Sequence, residues 1–251
     1  MALVAVHRNA VVRSRALKPE IPLSGDHGIP IRDEIELERI VNEEATAAMG
    51  SLIQIGPDMI EAASDVLARA FFDDPMTVFI IPDASRRPAI LPALYSAAIA
   101  QARSSGSAYT TETLDAVALW VPPEAAGMTP DQALLTAETL AAQMQAEERG
   151  RVAGLVEQLE GLRQRCAPSA HWYLDILGVD PPRQGQGIGG RMLEPILLRA
   201  DTSGVHCYLE TFKERNLPFY EKHGFVALAE EQIRHGPRFW PMLRKPRFEM
   251  L

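Results

Sequence analysis

Residues 51–251 predict a mixed α/β domain: a central mixed sheet flanked by helices, with a helical insert between its third and fourth strands. Three observations predict it. Short runs rich in β-branched and aromatic residues recur along the chain. Stretches with the apolar spacing of helices alternate with them. A glycine-rich turn within "LGVDPPRQGQGIGGRML", residues 177–193, joins a strand-like run to a helix-like one. The resulting order is βααββ, a helical block, then βαβαβ.

"SLIQI" at residues 51–55 is the first strand. Pro57 and Asp58 open a helix through "MIEAASDVLARAFF", and "DDP" at residues 73–75 breaks it. "RRPAILPALYSAAIAQARSSG" is a second helix that ends at Gly106. "SAYTTET" and "LDAVALWV" pair around a turn near residues 112–114, and Pro122 and Pro123 stop the second of them. The insert starts with Thr129 as N-cap and Pro130 in the first helical position. It continues, with a break near Gly150, through "VAGLVEQLEGLRQRC". "HWYLDILGV" is a strand, "GRMLEPILLRADTSG" a helix and "VHCYLET" the next strand. "NLPFYEKHGFVAL" reads as a short helix, a glycine turn and a strand, and "PRFWPMLRKP" supplies the last strand.

Residues 1–50 read as an extension, partly disordered. The first 20 residues carry Arg8, Arg13, Arg15 and Lys18 with no acid before Glu20, a composition similar to a transit peptide. A plain tail, or a start at Met49, fits the same residues. "RDEIELERIVNEEATAAM", residues 32–49, predicts one helix. A net charge of -8 argues against nucleic acid as the main partner. No run of about 18 apolar residues exists to cross a membrane. Two cysteines, Cys166 and Cys207, are too few for a disulfide framework or a zinc cluster. No metal is expected, and a reducing cytoplasm fits best.

Gly185, Gly187 and Gly190 spell G-x-G-x-x-G, and Glu210 lies about 20 residues on, where a ribose-binding acid belongs in a dinucleotide fold. Too few residues follow the loop for the further βα units such a fold needs. In another frame Gln184, Gly187 and Gly189 spell Q-x-x-G-x-G. Under either frame, N–H groups at a helix N-terminus suit an anion such as a phosphate.

With "LGVDPP" before the loop and "NLPFYEKHGF" after it, residues 171–227 resemble the GNAT superfamily of N-acetyltransferases. "AFFDDP" and "ALWVPP" resemble, more loosely, its branch that includes puromycin N-acetyltransferase. The resemblance implies acetyl-CoA as co-substrate. Its pantetheine would lie along Leu177, Gly178 and Val179. Its pyrophosphate would meet N–H groups from Gln184, Gly185, Gln186, Gly187, Ile188, Gly189 and Gly190. Arg183 and Arg191 are either phosphate contacts or solvated charges. Asn216 matches the family's cofactor-contacting Asn, and a helix N-cap is the other reading. Tyr220 matches the Tyr that protonates the leaving thiolate, and a core aromatic is the other reading.

Glu210 is the first candidate for the base that deprotonates the amine, and a structural carboxylate is its alternative. Asp175 is a weaker candidate, and His171 and His223 read as structural. The acceptor pocket falls to the first two helices and the insert, where acids in "AFFDDPMTVFII" either attract a cationic amine or cap a helix. The expected activity is transfer of acetyl from acetyl-CoA to the primary amine of a small molecule. A non-catalytic acyl-CoA-binding protein and an NAD-dependent oxidoreductase stay as alternatives.

Overall fold

In the computed structural model the chain divides into two units, residues 1–50 and 51–251. The structure describes residues 2–7, 34–38, 52–123 and 143–247. In the first unit β1 (Ala2–His7) pairs antiparallel with β2 (Glu34–Glu38). The helix expected over residues 32–49 is therefore wrong where it meets β2. "EIELE" alternates charge and apolar side chain with period two, which suits a strand. The rest of that expected helix lies outside the described residues, as does the Thr129–Pro130 start of the insert.

The second unit contains β3 (Leu52–Gln54), α1 (Ile60–Ala70), α2 (Pro75–Ile80), α3 (Arg87–Ser104), β4 (Ala108–Thr111) and β5 (Ala116–Val121). After these come α4 (Ala146–Cys166), β6 (His171–Val179), α5 (Ile188–Ser203) and β7 (His206–Thr211). The chain then adds α6 (Leu217–Lys222), β8 (Val226–Ala227), β9 (Glu231–Gln232) and β10 (Arg238–Arg244). The sheet order is β3-β4-β5-β6-β7-β10-β8, with β9 on β10. Among the described residues of this unit only β6 and β7 pair parallel; the other pairs are antiparallel. A dinucleotide fold needs a mostly parallel sheet, so the oxidoreductase alternative falls.

The sheet is buried on both faces, and the alternation in "AVALWV" explains why. Val117 and Leu119 pack with Leu67, Ile99 and Leu162 from α1, α3 and α4. Ala118 and Trp120 pack with Met192, Leu193 and Ile196 from α5 on the other face. Three local expectations need correction. The insert helix α4 runs unbroken through Gly150, where a side chain would meet nothing within 4 Å. One glycine costs a helix about 1 kcal/mol, too little to break a helix of 21 residues. "DDP" ends α1, but it also starts α2: Pro75 takes the first turn and Asp74 accepts the Met76 N–H at 3.0 Å. The two-residue β9 was not expected from the sequence.

Two irregularities in β6 shape the site. Its register against β5 slips between Leu119–Ile176 and Trp120–Leu174, leaving Asp175 as the extra residue of a β-bulge. Beyond the bulge, Ile176 joins the α1/α3/α4 face while Leu177 and Val179 join the α5 face. Along the other edge, pairing with β7 stops at Leu174–Leu209, although β6 continues to Val179 and β7 to Thr211. The two strands therefore part beyond that point, in the middle of the sheet.

Candidate active site

A cleft of about 350 Å³ opens where β6 and β7 part. Leu177, Gly178 and Val179 line it from β6, and Gln184, Gly185, Gly187, Ile188 and Gly189 from the loop and the start of α5. Asn216, Phe219 and Tyr220 close it from the turn into α6. Gln186, Gly190 and Glu210 do not line this cleft.

The loop's glycines do different jobs. Gly185 and Gly187 have φ of +76° and +75°, a left-handed backbone that L side chains rarely adopt. That turn aims the start of α5 at the cleft. A side chain on Gly189 would instead meet Phe219 at 3.3 Å, and one on Gly190 would meet His223 at 3.0 Å. These two allow α5 to pack on α6. Gly178 allows the closest approach: its missing Cβ would sit 2.7 Å from Leu67 and 3.0 Å from Phe71.

No acidic residue lies in the first turn of α5, and the first backbone bond that runs back is Arg191 N–H to Gly187 O. The first N–H groups of any helix lack partners within it. Arg183, Lys213 and Arg215 add cationic side chains to the same cleft. A phosphate-bearing guest is the chemistry this arrangement suits. Gln184 itself donates to Val179 O at 3.0 Å, tying the loop to β6. Arg183 bonds Asp115 at 3.2 Å, and Arg69 grips Asp180 through two bonds, so both strand ends are anchored.

Asn216 makes no capping hydrogen bond. Its amide donates to Thr211 Oγ1 at 3.2 Å, and the residue lines the cleft. Tyr220 is 7% exposed and packs edge-on against Phe219 and Phe225. Burial raises its phenol above the usual range, so the proton stays on at neutral pH. Asp74, read from the sequence as a possible attractor of amines, is already matched to Lys213 at 3.1 Å, and Asp73 to Arg87. His171 and His223 bond backbone carbonyls through Nδ1.

Glu210 lies on the opposite face of the sheet from Leu209, with Tyr208 beside it on β7. Burial raises its carboxyl to about 7, against the contrary pull of Tyr173, Tyr208 and Arg163. Asp175, in the bulge, keeps solvent contact, yet the protein packed around it raises its pKa too. The two carboxyls thus flank the gap between β6 and β7. Lys213 and Arg215 escaped the sequence reading; their signal was "KER", a charged cluster directly after a strand's C-terminal end.

Residues 128–245 match the acetyltransferase (GNAT) domain family. That stretch is just under half of the chain, and the likeness is to a GNAT acetyltransferase domain. An uncharacterized N-acetyltransferase of Schizosaccharomyces pombe is 35% identical over 81 residues, 31% of this chain and 33% of that protein. The chain thus spans about a third of the length of that curated relative. The fold matches a solved histone acetyltransferase HPA2 and related acetyltransferase from Corynebacterium glutamicum, with TM-score 0.56 and 21% identity, over 80% of this chain and 98% of that one. It also matches the polyamine N-acetyltransferase of Drosophila melanogaster, with TM-score 0.53 and 16% identity, over 78% and 99%. At those identities the likeness speaks for the GNAT fold alone.

Proposed function

We propose that the GNAT domain transfers the acetyl group of acetyl-CoA directly to the primary amine of a small molecule. One observation carries the reading. The unpaired stretch of β6 lines a cleft that also holds the N-terminus of α5 and the cationic side chains of Arg183, Lys213 and Arg215. The pyrophosphate would lie on the α5 N-terminus and the pantetheine along the free edge of β6, pairing as an added strand does. The amine nitrogen attacks the thioester carbonyl, whose oxygen is polarised by backbone N–H of β6. Glu210, with its value near neutrality, takes the amine proton. The carbon–sulfur bond then breaks, and the Tyr220 phenol gives its proton to the thiolate. Positioning supplies most of the acceleration.

The test is a thermal-shift series followed by an acceptor screen. Acetyl-CoA should raise the melting temperature and NAD should not. Free thiol should then appear only when an amine is present. A shift without thiol release from any amine would favour a non-catalytic acyl-CoA-binding protein.

A further inference from the structure

The gap between the parted strands is flanked by polar side chains on the α4 side of the sheet, and we treat that gap as a chamber. Tyr173 and Asp175 flank it from β6, and Tyr208 and Glu210 from β7. The rings of Tyr173 and Tyr208 lie 6.1 Å apart. Tyr208 is fully buried, and its hydroxyl faces the Glu210 carboxyl without meeting hydrogen-bond geometry. Its Oη and Glu210 Oε1 are both buried and unpartnered, and so is the Oη of Tyr95, which is 3% exposed and feels the charges of Asp74 and Asp175. A buried polar group without a partner is costly, and a native protein keeps such groups where a guest satisfies them.

We propose that this chamber receives the acceptor as an ammonium ion and selects alkylamines that lack an α-carboxylate. The inference rests on the transferase reading above. An ammonium brings three donors to carboxyl and phenol oxygens that now lack them. Tyrosine faces add attraction for a cation. The balance of charge decides the selection. Arg163 is the cation nearest these groups, stacking on Tyr173 with 4.3 Å from guanidinium to ring centre. It is already bonded to Glu160. His171, edge-on to Tyr208, is held toward its neutral form by burial. The chamber therefore has two carboxyls with little free positive charge to offset them. The carboxylate of an α-amino acid sits two bonds from its amine and enters wherever the amine does. It would enter surroundings that already disfavour the charged forms of Asp175 and Glu210, and would add a third carboxylate to them.

Matched pairs that differ only in that carboxylate test this: putrescine against ornithine, phenethylamine against phenylalanine, tyramine against tyrosine. The assays are kcat/KM from thiol release and, separately, calorimetric binding of each compound to the protein loaded with CoA. The decarboxylated member should win by at least about tenfold, or about 1.4 kcal/mol, in both assays. Asp175→Asn, at a solvent-accessible position, and Tyr208→Phe should each narrow the ratio without changing acetyl-CoA affinity. Equal or better use of the amino acids would overturn the selection rule while leaving the transferase reading intact. Preferential binding of the amines with no acetyl transfer would overturn the transferase reading and leave the chamber standing. No binding of any member would overturn the chamber.

Discussion

Replacing Glu210 by Gln should make the protein more stable at neutral and alkaline pH. Burial lifts this carboxyl from 4.5 to about 7 in the folded chain. The protonated form is thus favoured by folding, and ionisation works against it. Below pH 4.5 the group is neutral in both folded and unfolded chains and costs nothing. The penalty grows as pH rises through the window between these values and is complete above the upper one. A shift of this size corresponds to about 3 kcal/mol, as an upper bound because the residue is only partly buried and its neighbours Asp175, Tyr173, Tyr208 and Arg163 respond to its charge. Gln keeps the shape without the charge. Urea melts of both proteins from pH 4 to pH 9 measure the difference. It should be near zero at the acid end and grow steadily to a plateau above about pH 7.5, with Gln the more stable protein. The same variant should lose most of its turnover, because Gln takes no proton. A stability difference independent of pH would refute the idea that burial holds Glu210 near neutrality.

Three further outcomes are expected. Gly187→Val places a β-branched residue at φ +75°, so it should cost about 1–2 kcal/mol and weaken acetyl-CoA at least about tenfold by calorimetry, while Gly187→Asn, which tolerates that backbone, should stay close to wild type. Gly178→Ala drives a methyl to 2.7 Å from Leu67, so it should lower stability by about 1–3 kcal/mol in denaturant melts. Tyr220→Phe keeps the ring contacts with Phe219 and Phe225, so the melting temperature should hold while kcat falls about ten- to a thousandfold with little change in KM for acetyl-CoA; wild-type turnover would remove the phenol from the reaction.

The parts of the site that impose a backbone requirement were legible in the sequence. Left-handed turns leave glycines, and Gly185 and Gly187 stand at such turns. Strand β5, buried on both faces, left an uninterrupted apolar run. Features made by pairing partners far apart in sequence were not legible. The bulge at Asp175 exists only against β5, and the gap beside it only against β7. Nor does any local pattern reveal that Lys213 would neutralise Asp74, 139 residues before it. Pro75 was read only as a break, for a different reason. A proline that ends one helix has the fixed φ that begins another, and a preceding aspartate caps it. In "EIELE" the glutamates drew the helix assignment, although the apolar period was two.

The most direct test incubates the purified chain with acetyl-CoA and putrescine and identifies the products by mass spectrometry. The expected result is acetylated putrescine and free CoA in equal amounts, formed only when the protein is present and strongly reduced with Glu210→Gln. Acetyl-CoA recovered intact with every amine tried, from a folded protein that binds it, would contradict the assignment of transferase activity.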